Sequence, residues 1–272
     1  MYGIILVAVI AIIAGLLLSW ASIQFAVPVD EKQAAVREVL PGANCGACGF
    51  SGCDGYAAAL AAGTAEIGLC SPGGPDVAEE CATILGKAAG EMVRKVALVQ
   101  CNGTCSNAGQ KLIYDGVDTC QAVSLMFAGD STCAYGCLGH GDCAAVCPEK
   151  AILVHDGLAM IDQDKCVGCG ICVKTCPKHV IALVPFEKKH HVLCVNTDKG
   201  AEAMKVCKTS CIGCMKCVKT CEHDAIHVTN FNAAIDYDKC TNCGAFFRYK
   251  VLRQGLLRDV IHEEKQHLIL EK

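Results

Sequence analysis

Hydrophobic positions are distributed very unevenly along this chain. From Met1 to Val27 there is no charged side chain, and Ile4 to Leu18 is built almost wholly from Ile, Leu, Val, Ala and Gly. About 20 apolar residues in a helix span the hydrocarbon core of a bilayer, and Trp20 and Phe25 sit where interfacial anchors belong. Residues 1–27 are therefore predicted to be a transmembrane helix. A secretory signal peptide would carry a basic n-region, which is missing. Lys32 and Arg37 follow the span and no Lys or Arg precedes it, which places the body of the protein on the cytoplasmic side. Asp30 is positioned to cap a short helix ending near Leu40. Much later, AILVHDGLAMIDQDKC at 151–166 and AIHVTNFNAAIDYDKC at 225–240 each read as a pair of short strands leading into a cysteine.

Composition changes this picture in one respect. Hydrophobic residues make up 53% of the 272, yet only 5% of residues are aromatic, and 24 are cysteines. A core poor in rings fits several small modules whose stability comes from metal ligation. Disulfide scaffolds belong to short secreted chains. Structural zinc uses two C-x2-C pairs about 15–20 residues apart, and no C-x2-C-H haem motif occurs.

Cysteine spacing identifies the chemistry. Cys166, Cys169, Cys172, Cys176 and Pro177 read C-x2-C-x2-C-x3-C-P, the ligand run of a bacterial two-cluster ferredoxin, in which the fourth cysteine serves the other cluster. Structural zinc also takes four thiolates, but from two separated pairs rather than from one run of eleven residues. Upstream, PGANCGACGFSGCDGYAAALAAGTAEIGLC supplies Cys45, Cys48, Cys53 and Cys70, a set suited to one [4Fe–4S] cluster.

At an offset of 74 residues the chain matches itself. Cys120, Cys133, Cys137, Cys143, Cys147, Cys166 and Cys169 fall on Cys194, Cys207, Cys211, Cys217, Cys221, Cys240 and Cys243, the mark of a tandem duplication. Crossover then groups Cys147 with Cys166, Cys169 and Cys172. The other cluster of this module takes Cys176, Cys137 and Cys143, with His140 where a cysteine is expected and Cys133 chosen as the fourth ligand. In the second module Cys211, Cys214 and Cys217 form a run, with Cys221 as the crossover residue and Cys207 close enough to substitute for a missing partner. Cys240 and Cys243 begin a run that fails, since Phe246 and Lys250 stand where cysteines belong. A natural variant helix or a reading-frame change would explain the 246–272 tail, and the break in mid-motif favours the frame change. Cys101, Cys105, Cys120 and Cys194 are left as further metal-ligand candidates.

The expected fold is α+β: a transmembrane anchor (1–27), a small helical iron–sulfur domain (28–90), a connecting segment (91–130), ferredoxin-like modules at 131–186 and 187–245, the second incomplete, and the atypical tail. With these parts in this order, the chain resembles the iron–sulfur B component of the Rnf complex, the ion-translocating ferredoxin:NAD+ oxidoreductase of bacterial membranes. PGANCGACGFSGC, YGCLGHGDCAAVCP and DKCVGCGICVKTCP carry the resemblance over residues 1–244. It implies a component of the bacterial inner membrane that accepts electrons from reduced ferredoxin and relays them to membrane and flavin-carrying subunits. At least three [4Fe–4S] clusters are expected. An electron-input polyferredoxin of another membrane oxidoreductase is the alternative, ahead of a corrinoid iron–sulfur methyl-transfer protein.

Charge bears on the donor. Residues 1–164 hold 17 acidic and 7 basic side chains, whereas 165–219 hold ten lysines against Glu187, Asp198 and Glu202. Lys174, Lys178, Lys188, Lys189, Lys205, Lys208, Lys216 and Lys219 lie beside or between cluster ligands, a surface suited to an acidic electron donor rather than to nucleic acid. No G-x-G-x-x-G or P-loop is present, so nucleotide and flavin chemistry is assigned to partner subunits. His190 and His191 are expected in an exposed loop.

Overall fold

A computed structural model describes residues 2–24, 30–88 and 92–245. Helix α1 runs Tyr2–Gln24, and its described side chains, at 3, 5, 6 and 11–20, are exposed. Taken over the described residues alone, no helix is long and apolar enough to cross a membrane. The 246–272 tail, with Phe246 and Lys250, lies outside the described residues.

Three helices form the N-terminal domain. Helix α2 (Glu31–Val39) starts at Asp30, whose carboxylate accepts the Lys32 N–H at 2.9 Å. Helix α3 (Cys53–Ala61) and α4 (Gly74–Leu85) follow, the latter stopped by Gly86 in the left-handed conformation. Val36 and Leu40, one turn apart, meet Tyr56, Ala57, Leu60 and the buried Cys81 in a single core. Leu60 is 1% exposed, so truncating it to Ala would cost about 2–5 kcal/mol.

The next segment departs from its expected role as a connector. KVALV forms β1 (Lys95–Val99), with four consecutive buried residues, as a strand covered on both faces requires. Its alternating side chains serve two cores. Ala97 and Val99 pack with Ile152, Val180 and Ile181 of the first module, while Val96 and Leu98 pack with Val184 and Leu193. Helices α5 (Cys120–Ser124) and α6 (Asp142–Ala145), strands β2 (Ile152–His155) and β3 (Leu158–Ile161), and helix α7 (Ile171–Thr175) complete this module with β4 (Ile181–Pro185). Strands β1 and β4 pair antiparallel from Lys95↔Pro185 to Val99↔Ile181.

The second module holds α8 (Gly200–Val206), α9 (Lys216–Thr220), β5 (Ile226–Thr229) and β6 (Asn232–Ile235). Its hairpin repeats the first, Ile226↔Ile235 matching Ile152↔Ile161. Both turns have two residues at positive φ, Asp156-Gly157 and Asn230-Phe231, the conformation that matches strand twist. At Gly157 a β-carbon would meet Cys105 Sγ at 2.6 Å, so the first copy has room only for glycine.

The modules are stitched together by backbone and side chains. Ala108 bridges Cys207, Lys208 N–H donates to Asn107 O at 2.9 Å, and the Thr132 hydroxyl donates to Val206 O at 2.8 Å. Thr209 reaches Asn102 O at 3.1 Å.

Candidate metal centres

Cys53 is the first residue of α3. Its N–H donates to Asn44 Oδ1 at 2.8 Å. Gly52, at φ +146, makes this possible, because a β-carbon there would stand 2.9 Å from that same oxygen. The Tyr56 hydroxyl donates to Glu66 O at 2.9 Å and accepts from Leu69 N–H at 3.2 Å, fixing the loop that delivers Cys70. Burial pushes the Cys70 thiol up; the Gly73 amide opposes this, and Cys53, Cys45 and Cys48 add to it. All four cysteines of the N-terminal motif are thus gathered at one place.

A second gathering lies against α7. Cys147, Cys166, Cys169 and Cys172 line one hollow, walled by Ala97, Ile152, Ile161 and Ile171. Burial, then the charges of Cys166, Cys169 and Cys147, push the Cys172 thiol up to about 11. Two sulfurs accept backbone hydrogen bonds, Cys166 from Ala97 N–H at 3.3 Å and Cys147 from Ala151 N–H at 3.4 Å. Cys169 also feels Cys45 of the N-terminal domain, so these two sites adjoin.

The third gathering differs from the sequence-based assignment. Cys137, Cys143 and Cys176 line a hollow with Cys120, not with Cys133. Burial, then Cys137, Cys120, Cys176 and Cys172, raise Cys143 to about 12. The Asp142 carboxylate accepts from Cys120 N–H at 2.9 Å and Gln121 N–H at 3.0 Å, holding the first turn of α5 against the site. His140, in the position of the absent cysteine, is clasped by Asp118 at 2.5 Å and Asp130 at 3.5 Å and does not line the hollow.

Cys133 lies instead in a hollow between the modules, with Cys101, Cys194 and Cys207. Structure also revises the internal repeat here. The Cys101 sulfur accepts from Cys137 N–H at 3.4 Å, and the Cys194 sulfur accepts from Cys211 N–H at 3.2 Å. Because Cys137 and Cys211 are repeat partners, Cys194 is the counterpart of Cys101 and not of Cys120. Cys105 is exposed and lines none of these hollows among the described residues.

In the second module Cys221, Cys240 and Cys243 line a hollow with His190 and His223, and Cys221 accepts from Ala225 N–H at 3.4 Å as Cys147 does from Ala151. Cys211 and Cys214 stand close enough to Cys217 to raise its thiol further, after burial. His190 and His191 are not exposed; they are 6% and 1% accessible. The His191 ring packs on Tyr237, with Nδ1 2.9 Å from its hydroxyl, and burial lowers it to about 4.

Among the described residues no three donors converge on a single ion position. The gathered sulfurs surround hollows instead. All-thiolate sets with amide donors to sulfur in apolar walls fit iron–sulfur clusters, whose charge such donors stabilise.

The family description "Putative Fe-S cluster" matches residues 40–72, and "4Fe-4S binding domain" matches 159–182 and 208–227. The B component of the Na+-translocating ferredoxin:NAD+ oxidoreductase complex of Acetobacterium woodii is 46% identical over 239 residues, covering 88% of this chain and 72% of that protein. The chain belongs to the family of Rnf B components. Two further members are the B component of the proton-translocating complex of Clostridium ljungdahlii, 41% identical over 88% of this chain and 85% of its own, and that of the ion-translocating complex of Methanosarcina acetivorans, 37% identical over 89% and 94%. As an Rnf B component, the chain is an electron-transfer protein that binds several [4Fe–4S] clusters.

Proposed function

We propose that the chain is the electron-input subunit of a membrane-bound ion-translocating ferredoxin:NAD+ oxidoreductase complex, receiving electrons from reduced ferredoxin and passing them to membrane and flavin-carrying subunits. Adjacency of the thiol sites carries this reading. Cys45 of the first site feels Cys169 of the second, and Cys172 of the second feels Cys143 of the third. The three four-cysteine sets are Cys45, Cys48, Cys53 and Cys70; Cys147, Cys166, Cys169 and Cys172; and Cys120, Cys137, Cys143 and Cys176. Each would hold one [4Fe–4S] cluster, which supplies one-electron chemistry when bound. The chain's own part is to ligate, to exclude water with apolar walls, and to aim amide N–H groups at sulfur.

Helix α1 would anchor this assembly in the bacterial inner membrane. This reading rests on the sequence, since no Asp, Glu, Lys or Arg occurs among residues 1–27 and about 20 apolar residues suffice to span the hydrocarbon. The soluble part would face the cytoplasm.

The docking surface is narrower than the lysine count suggests. Lys178 donates to Ala128 O and Ala134 O, both at 2.6 Å, and Lys188 to Cys240 O at 2.5 Å, so both hold the fold together. Lys174 on α7 and Lys216 and Lys219 on α9 are exposed beside cluster ligands and are the contacts proposed for an acidic donor. Replacing these three with Glu should slow reduction by ferredoxin about tenfold or more at low ionic strength, with the difference shrinking as salt is added and iron content unchanged. A stopped-flow rate equal to wild type at low salt would refute docking at this surface.

A further inference from the structure

We infer that Cys101, Cys133, Cys194 and Cys207 bind an additional iron–sulfur cluster that bridges the two ferredoxin-like modules. The inference rests on the chain being an iron–sulfur protein and goes beyond the three ligand sets above. All four cysteines line one hollow, and they arrive as two equivalent pairs. Cys133 and Cys207 each stand four residues before the first cysteine of a ligand run, Cys137 and Cys211. Cys101 and Cys194 each accept the N–H of that same first cysteine. Every module thus contributes the same two positions to one shared site.

Glycines keep the space between the sulfurs open. A β-carbon at Gly136 would sit 3.4 Å from Cys101 Sγ and 3.6 Å from Cys133 Sγ. One at Gly103 would sit 3.5 Å from Cys101 Sγ and 3.7 Å from Cys207 Sγ. Neither glycine has the positive φ that would call for glycine on backbone grounds. What a side chain would do at either place is fill the ground between two ligands. Cys194 and Cys133 are near enough for their charges to interact.

Hydrogen-bond donors already point at the sulfurs. Gly103 N–H and Cys137 N–H reach Cys101 Sγ, each at 3.4 Å. The buried Asn196 directs Nδ2 to Cys133 Sγ at 3.8 Å. Donors of this kind stabilise a ligated cluster and tune its potential. The site also closes a gap. Cys137 lines both this hollow and the Cys120 site, and Cys194 adjoins Cys211 of the second module. A cluster here joins the two modules into one continuous row.

The test is iron and acid-labile sulfide counting on full-length protein purified anaerobically, with electron paramagnetic resonance of the reduced protein. Cys101→Ala should lose about four irons and four sulfides per chain together with one resonance signal. Cys194→Ala should lose the same four, and the double variant no more than either single one. Cys105→Ala should lose none. If Cys101→Ala and Cys194→Ala each keep the wild-type iron, or if their losses add, the bridging site is wrong. If a variant loses all its iron through unfolding, alkylation of the iron-replete wild type decides: Cys101 and Cys194 should resist iodoacetamide while Cys105 reacts, and labelling of either overturns the assignment. A wild type without iron would instead refute the iron–sulfur reading as a whole.

Discussion

Replacing Tyr56 with Phe removes one hydroxyl from the N-terminal domain and keeps the packing. The ring is 2% exposed and lies 5.4 Å from Phe50 between centroids, and phenylalanine preserves both. What disappears is the donation to Glu66 O and the acceptance from Leu69 N–H, the two bonds that tie the loop before Cys70 to α3. At about 1 kcal/mol each, they contribute about 2 kcal/mol, which corresponds to a roughly 30-fold increase in the population with the loop released. Such local opening is independent of global unfolding. Because Cys70 moves with the loop, a cluster held by Cys45, Cys48, Cys53 and Cys70 becomes accessible that much more often. Anaerobic protein mixed with a ferrous chelator should show one phase, of about four irons, accelerated on the order of 10–30-fold, while the remaining iron leaves at the wild-type rate. Unchanged release in every phase would refute the role given to this hydroxyl. Uniform acceleration of all phases would refute the independence of the N-terminal site.

Cys120→Ala should remove about four irons and leave the Cys147 site filled; retention of full iron content would return the fourth ligand to His140 or Cys133. Deleting residues 2–24 should release an iron-replete protein from the membrane fraction when it is expressed without partner subunits, and continued sedimentation with membranes would show that another surface holds it.

The parts of the site that were legible in the sequence are those whose ligands are close in the chain. Cys45 to Cys70 and Cys166 to Cys176 are fixed by short turns, so spacing alone identifies them. Cys120 was obscured because it replaces a missing cysteine from another segment, and only the fold brings α5 against α6. A constant offset was misleading for Cys194. Cys101 stands 32 residues before Cys133 and Cys194 only 13 before Cys207, since the first module carries extra chain, including α5, Asp118 and Asp130, between the equivalent points. KVALV did carry a readable signal: a five-residue run with four apolar positions, too short for a helix and consistent with a strand covered on both faces. The KKHH run conceals its burial, because its lysines suggest solvent whereas His191 turns inward onto Tyr237, a contact 46 residues away.

The nesting of the ligand sets sets an order of maturation. Cys147 to Cys172 lies within Cys120 to Cys176, which lies within Cys101 to Cys207, while Cys45 to Cys70 stands apart and ahead. On an emerging chain the N-terminal set is complete first. The α7 set follows, then the set that needs Cys176, and the set between the modules is the last to close. Closing a longer loop costs more entropy, so each inner cluster, once ligated, shortens the free chain that the next must gather. Chains starved of iron during synthesis should therefore accumulate species missing the outermost cluster, with the N-terminal domain already filled.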